Sequence, residues 1–234
     1  MATSYTYKPI VTDGLVFCLD AANTKSYPGS GTTWSDLTKN SNNGTLTNGP
    51  TFNSSNGGSI LFDGIDDYIS YPDSNSISIV GDITINSWIK VNNFSTYRAI
   101  VSKTTGGVPS PFDLYLNPST GNPSFLRGNG SYFYFFDGST NPTAGIWQNV
   151  CLTMGGLFCS YYLNGSLVNS GNITNIFGGS PVISDGGLPM TIGRRPDGAT
   201  IMDGNIAVVN LYDRELSAVE VLQNYNATKS RFGI

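Results

Sequence analysis

The chain has 234 residues, 39% hydrophobic, 12% aromatic and 12% charged, with 28 glycines, 12 prolines and no histidine. Without histidine there is no Ser-His-Asp or Cys-His catalysis and no imidazole ligand for a metal. Its formal charge of −4, with Lys and Arg scattered along the chain, lacks the basic footprint of a nucleic-acid binder, and no apolar run reaches the ~18 residues of a membrane span.

In chain order, Met1–Thr12 carries Tyr5, Tyr7 and Pro9 but neither a helical period nor the apolar stretch of a signal peptide. It reads as an arm of residues 1–13 ahead of a single domain over 14–234. From Gly14 onward, short alternating apolar runs recur, each closed by Gly, Asn, Asp or Pro, which is the spacing of strands. Strands are expected at Gly14–Leu19, Ser59–Phe62, Tyr68–Tyr71, Asp82–Val91, Tyr97–Lys103 and Phe112–Asn117. More follow at Pro123–Arg127, Ser131–Phe136, Trp147–Met154, Leu157–Leu163, Met190–Gly193 and Gly204–Leu211. Their number implies an all-β fold of two packed antiparallel sheets.

Between the first two of these strands, Pro28–Gly58 is long, polar and rich in turn residues, and is either a functional loop or a strap across the sandwich edge. Gly155-Gly156 marks a hairpin. A two-residue loop there puts Cys151 and Cys159 on opposite faces, whereas an odd-length loop brings them together and permits a disulfide. Buried free thiol is the expected state of Cys18, Cys151 and Cys159. At the end, Ser217-Ala-Val-Glu220 is a capping box that opens one short helix.

Several motifs appear together in order: Gly14–Ala21, Trp34-Ser-Asp-Leu37, Leu61-Phe-Asp-Gly-Ile-Asp-Asp-Tyr68, Ile85–Val91 around Trp88, Trp147-Gln-Asn-Val150, Tyr162-Leu-Asn-Gly165, Ile192-Gly-Arg194 and Asp203–Ala207. The set closely resembles the laminin-G-like, concanavalin-A-like jelly-roll domains. The resemblance implies a two-sheet jelly roll with one short C-terminal helix. The tail Gln223–Gly233 is similar to the end of such domains in virion proteins of tailed bacteriophages, which implies a particle assembled in a bacterial cytoplasm and displayed at its surface.

Three groups of residues are candidate sites. Asp63, Asp66 and Asp67 surround Gly64 and can supply hard oxygen ligands to calcium, against the plainer reading that they bond local amides at a turn. The resemblance adds Asp203 to this set, because relatives often hold one structural calcium near the last strand. Along Ser131–Phe136, Tyr132, Tyr134 and Phe136 share one face and Phe133 and Phe135 the other; the tyrosine-bearing set can stack on sugar rings, unless both faces are covered. Arg194-Arg195, in a polar turn, can bind a carboxylate, so acidic glycans or a partner protein are candidate ligands.

No catalytic residues are expected. Glucanases of this fold place paired carboxylates on one concave strand, while here 14 of the 16 acids are Asp, the two glutamates are Glu215 and Glu220, and Asp113 and Asp137 stand alone in the sequence. The reading is therefore a non-enzymatic structural and binding module of a phage surface, as capsid decoration, head fibre or tail-associated protein. In it, residues 1–12 dock on virion proteins or sister subunits as an added strand. A carbohydrate-binding adhesion domain is the alternative, and a glycoside hydrolase the third.

Overall fold

The computed structural model describes residues 8–105, 109–129, 133–175 and 183–234. Strands are β1 (Leu15–Asp20), β2 (Thr33–Trp34), β3 (Gly44–Thr47), β4 (Thr51–Asn53), β5 (Ser59–Asp63), β6 (Tyr68–Tyr71), β7 (Ile83–Val91), β8 (Arg98–Ser102) and β9 (Pro109–Leu116). They continue as β10 (Pro123–Asn129), β11 (Phe133–Asp137), β12 (Gln148–Gly155), β13 (Phe158–Leu163), β14 (Ser166–Asn172), β15 (Thr174–Asn175), β16 (Met190–Ile192) and β17 (Asp203–Tyr212). Helix α1 (Ala218–Thr228) and a 3-10 turn at Lys229–Phe232 close the described chain, and no helix among the described residues is long and apolar enough to cross a membrane.

Every strand expected from alternation has its counterpart, and all pair antiparallel in two sheets. One runs β14-β13-β12-β7-β17-β5-β4, with β1 also paired to β17; the other runs β15-β11-β10-β9-β8-β16-β6-β3-β2. Alternate residues of each strand face the space between the sheets, where Phe17, Phe62, Ile85, Phe112, Phe125 and Val209 form part of one continuous core. The expected strap proves to be an edge structure. It contributes β2 and β3 to one sheet and β4 to the other, and its side chains close the free side of β1. Asp36 Oδ1 accepts from the Cys18 amide at 3.0 Å, while Asn40 Nδ2 donates to the Val16 carbonyl at 2.7 Å. An unpaired strand edge is thereby blunted.

The outer face of the first sheet is sealed. Ser217 caps α1 with the expected box, since the Glu220 amide donates to Ser217 Oγ while the Glu220 carboxylate accepts from the Ser217 amide at 2.9 Å. Across that face Trp88 stacks on Phe232 with ring centroids 4.0 Å apart and on Tyr225 at 5.7 Å, and its Nε1 donates to Thr228 Oγ1 at 2.8 Å. A second apolar cluster joins Cys151, Tyr162, Tyr212, Leu216 and Val221 to Val11. The Val11 amide donates to Asn224 Oδ1 at 2.8 Å, and Gln223 Nε2 donates to the Pro9 carbonyl at 2.7 Å. Residues 8–12 thus lie on the chain's own helix and form no strand. This corrects their part in the expected docking arm, whose residues 1–7 lie outside the described residues.

The β12–β13 hairpin has the two-residue loop Gly156–Leu157, as the Gly155–Phe158 pairing requires. Cys151 consequently faces the helix side and Cys159 the main core, and all three cysteines are buried and free. Burial pushes the Cys159 thiol up to about 12, which leaves it unreactive as a nucleophile.

Two buried cations organise the loops. Arg127 is 1% exposed and donates to the carbonyls of Ile79, Pro111 and Gly81 at 2.5, 2.5 and 2.6 Å, so it satisfies backbone acceptors that the loop before β7 would otherwise strand. Lys103, fully buried, contacts Asp73 at 2.6 Å, Asp185 at 2.8 Å and the Leu188 carbonyl at 2.6 Å. It ties the loop after β6 to the segment entering β16.

Candidate functional site

The turn between β5 and β6 brings the acidic residues together. One oxygen from each of Asp63, Asp66 and Asp67 lies within 4.8 Å of the others. Gly64 makes this possible. Its φ of +78° suits glycine, and a Cβ there would come within 2.8 Å of the Asp203 Cβ. Asp67 Oδ2 accepts from the Asp63 amide at 2.9 Å, whereas its buried Oδ1 has no hydrogen-bond partner. Burial, then the neighbouring carboxylates of Asp63 and Asp66, raise the Asp67 pKa against the lowering effect of the Asp63 amide. The three carboxylates can hold a metal ion, which would satisfy the orphaned oxygen and the repulsion together.

Asp203 does not join them. It pairs with Asp63 across the β5–β17 ladder, but its carboxylate accepts from Asn92 Nδ2 and Asn93 Nδ2, both at 2.6 Å, and lies 3.7 Å from Arg98. These groups fix the β7–β8 turn, so Asp203 is a structural anchor there, which corrects its place in the ligand set.

The aromatic strand also differs from expectation. Tyr134 and Phe136 are 3% and 6% exposed and sit in the main core. The cause is register: Phe136 pairs with Phe125 and Tyr134 with Arg127, both on the inward side of β10. Phe133 and Phe135 take the outward side, half-buried, with ring centroids 6.4 Å apart. Tyr134 and Phe136 are therefore core residues and not stacking platforms, and Tyr132 lies outside the described residues.

What the register builds on the outer face of the second sheet is a polar row. Residues paired directly across neighbouring strands share a face, and here the pairs run Thr33–Thr45, Thr45–Ser70, Ser70–Thr191, Thr191–Ser102, Ser102–Asp113, Asp113–Leu126 and Leu126–Phe135. Hydroxyls line one half and apolar side chains the far end. Asp113, unremarkable in the sequence, sits mid-row and fully buried, with no hydrogen-bond partner for either carboxylate oxygen. Burial drives its pKa up to about 7, against the opposing charge of Arg195.

Arg194 and Arg195 leave β16 on this face and divide their work. Arg195 donates to Asp197 at 2.9 Å and lies 3.7 Å from Asp113. Arg194 has its guanidinium 5.5 Å over the Tyr68 ring and lines a cavity of about 200 Å³ with Tyr68, Ser70 and Thr191. Nearby, exposed Tyr97 meets Tyr115 edge to face at 5.7 Å. Of the expected binding residues, the structure thus joins Arg194 and Arg195 to hydroxyls and to Tyr68, a neighbour that alternation alone could place only as strand. The sequence signal for it was present in β6, where Tyr68 and Ser70 alternate with inward Ile69 and Tyr71.

The family model described as "Concanavalin A-like lectin/glucanases superfamily", of the laminin-G type, matches residues 63–222. No curated protein matches the chain. Among solved structures, the binding domain of Paraclostridial Mosquitocidal Protein 1 superposes with a TM-score of 0.68 at 19% identity, covering 92% of this chain and 52% of that one. Domain 4 of AbnA, a GH43 extracellular arabinanase from Geobacillus stearothermophilus solved in complex with arabinotriose, gives 0.68 at 17% identity, over 90% of this chain and 98% of that one. The binding domain of botulinum neurotoxin serotype D/C gives 0.68 at 13%, over 92% and 52%. This chain spans about half the length of the toxin domains it matches. With two antiparallel sheets, a single C-terminal helix and a family match over more than half its length, the chain belongs to the concanavalin A-like lectin/glucanases superfamily.

Proposed function

We propose that the chain is a non-enzymatic binding module whose ligand is carbohydrate, held on the outer face of the second sheet. The polar row is the observation that carries this reading: aligned hydroxyls beside Arg194, Arg195 and Tyr68 offer the hydrogen bonds and the aromatic surface that sugar rings use. The arabinotriose-bound AbnA domain, similar over nearly its whole length, supports it. A hydrolytic role is disfavoured because the carboxylate at the centre of the row, Asp113, is fully buried beneath Arg195, away from any substrate bond.

A glycan array with the purified chain tests the proposal. Binding is expected to fall about tenfold in Tyr68→Ala, on the scale of one lost stacking contact, and to persist in Val219→Ser, on the exposed side of α1. A silent array overturns the reading, and release of reducing ends from a bound polysaccharide overturns its non-enzymatic part.

For the acidic turn we propose calcium as the ion, since its three carboxylates form a hard-oxygen set. Calcium in excess is expected to raise the melting midpoint and chelator to reverse the rise, because an ion that binds only the folded state stabilises it. An unchanged midpoint retires the ion. We place the module on a phage particle as a surface component, supported by the likeness of Gln223–Gly233 to virion-protein tails; antibody labelling of particles that leaves them bare overturns that location.

A further inference from the structure

We propose that the cavity beside Arg194 is a subsite for the carboxylate of an acidic sugar residue, uronic or sialic in type. The inference rests on the carbohydrate reading and names the ligand class within it.

Charge accounting over the arginines points to this position. Arg98, Arg195, Arg214 and Arg231 each have a carboxylate at 3.7, 2.9, 2.6 and 2.5 Å. Arg127 is satisfied by three carbonyls. Among the described residues, Arg194 alone of the six has neither an ion pair nor a hydrogen bond from its guanidinium, and its buried Nε is without a partner. That buried Nε–H, removed from water, costs free energy unless a ligand meets it.

The surroundings narrow what that ligand is. Tyr68 lies beneath the guanidinium at 5.5 Å, within reach of a cation–π contact. The planar fork matches a carboxylate in two parallel hydrogen bonds. Arg195 next to it is already paired with Asp197 at 2.9 Å, so Arg194 is the one guanidinium of the cavity left to meet an anion, and a single fork suits a monoanion better than a phosphate dianion. The cavity, about 200 Å³, has room for one ring. Its hydroxyls, from Ser70 and Thr191, lie in the row that continues across the sheet, so an acidic ring anchored at Arg194 would extend its neutral neighbours past Ser70 toward the exposed Thr45.

The test is titration calorimetry on the full chain with two matched pairs: trigalacturonate against its methyl ester, and sialyllactose against lactose. At least one acid is expected to bind about tenfold or more tightly than its neutral twin, the scale of a charge-assisted hydrogen bond. The preference of acid over twin should vanish in Arg194→Gln with the melting midpoint retained, and should survive in part in Arg194→Lys. Equal binding of acid and twin, or an Arg194→Gln variant that keeps the preference, overturns the acidic subsite while leaving the carbohydrate reading in place. Failure of both pairs together with a silent array overturns the two at once.

Discussion

Replacing Trp88 with alanine is expected to lower stability by about 3–5 kcal/mol, the range for removing a large aromatic from a filled site. Trp88 is fully buried, yet it faces away from the main core. Its loss would strip Phe232 and Tyr225 of their stacking surface and Thr228 of a donor in one step. A domain of ordinary stability has 5–15 kcal/mol in total, so the variant should remain folded but with a much reduced urea midpoint. Hydrogen exchange gives the more specific readout. Amides of α1 should exchange first, with the intersheet core still protected. An unfolding free energy within about 1 kcal/mol of the parent would mean that the terminal helix is held by something other than this stack.

Asp36→Ala is expected to cost about 3 kcal/mol or more, because several donors lose one charged acceptor. Asp36 Oδ1 accepts from the Cys18 amide at 3.0 Å and the Thr38 amide at 2.9 Å; Oδ2 accepts from Thr38 Oγ1 at 2.8 Å and the Asn42 amide at 3.1 Å. Cys18 reports the event. Burial, followed by the charges of Asp36 and Asp20, pushes its thiol up to about 12. Losing Asp36 frees the edge of β1 and removes one of those charges, so alkylation of Cys18 should accelerate in Asp36→Ala and far less in Trp88→Ala. Equal rates in the two variants would show that thiol access follows global unfolding and not the clasp.

These two residues also show what could be read from residues alone. Trp88 belongs to a strand whose period of two is plain in Ile83, Ile85 and Ile89, and the capping box at Ser217 announces the helix that covers it. Both are local patterns. Asp36 stood out only as part of a family motif, since its partners come from Cys18 and Asn42 and meet it only when the strap folds over β1. The faces of β11 were undecidable for the same reason: with aromatics at 133 to 136 both sides look apolar, and the choice was made by Phe125 and Arg127 on the neighbouring strand. Asp113 looked solitary because its companions Ser102, Thr191 and Arg195 lie on other strands and turns. The acidic turn was legible because Asp63, Asp66 and Asp67 are near in sequence; Asp203, distant, was drawn off by Asn92, Asn93 and Arg98.

The clasp of Pro9 and Val11 on Gln223 and Asn224 gives the molecule a polarity. The first described residues and the last helix lie together on the outer side of the first sheet, and Arg194 lies on the outer side of the second. A tether that starts from this side of the molecule therefore lies behind the polar row. A copy tethered to a bead, a sensor chip or a larger assembly from that side would present Arg194 outward, and many copies so mounted would act as a multivalent surface whose avidity grows when their spacing matches that of the ligand's repeats.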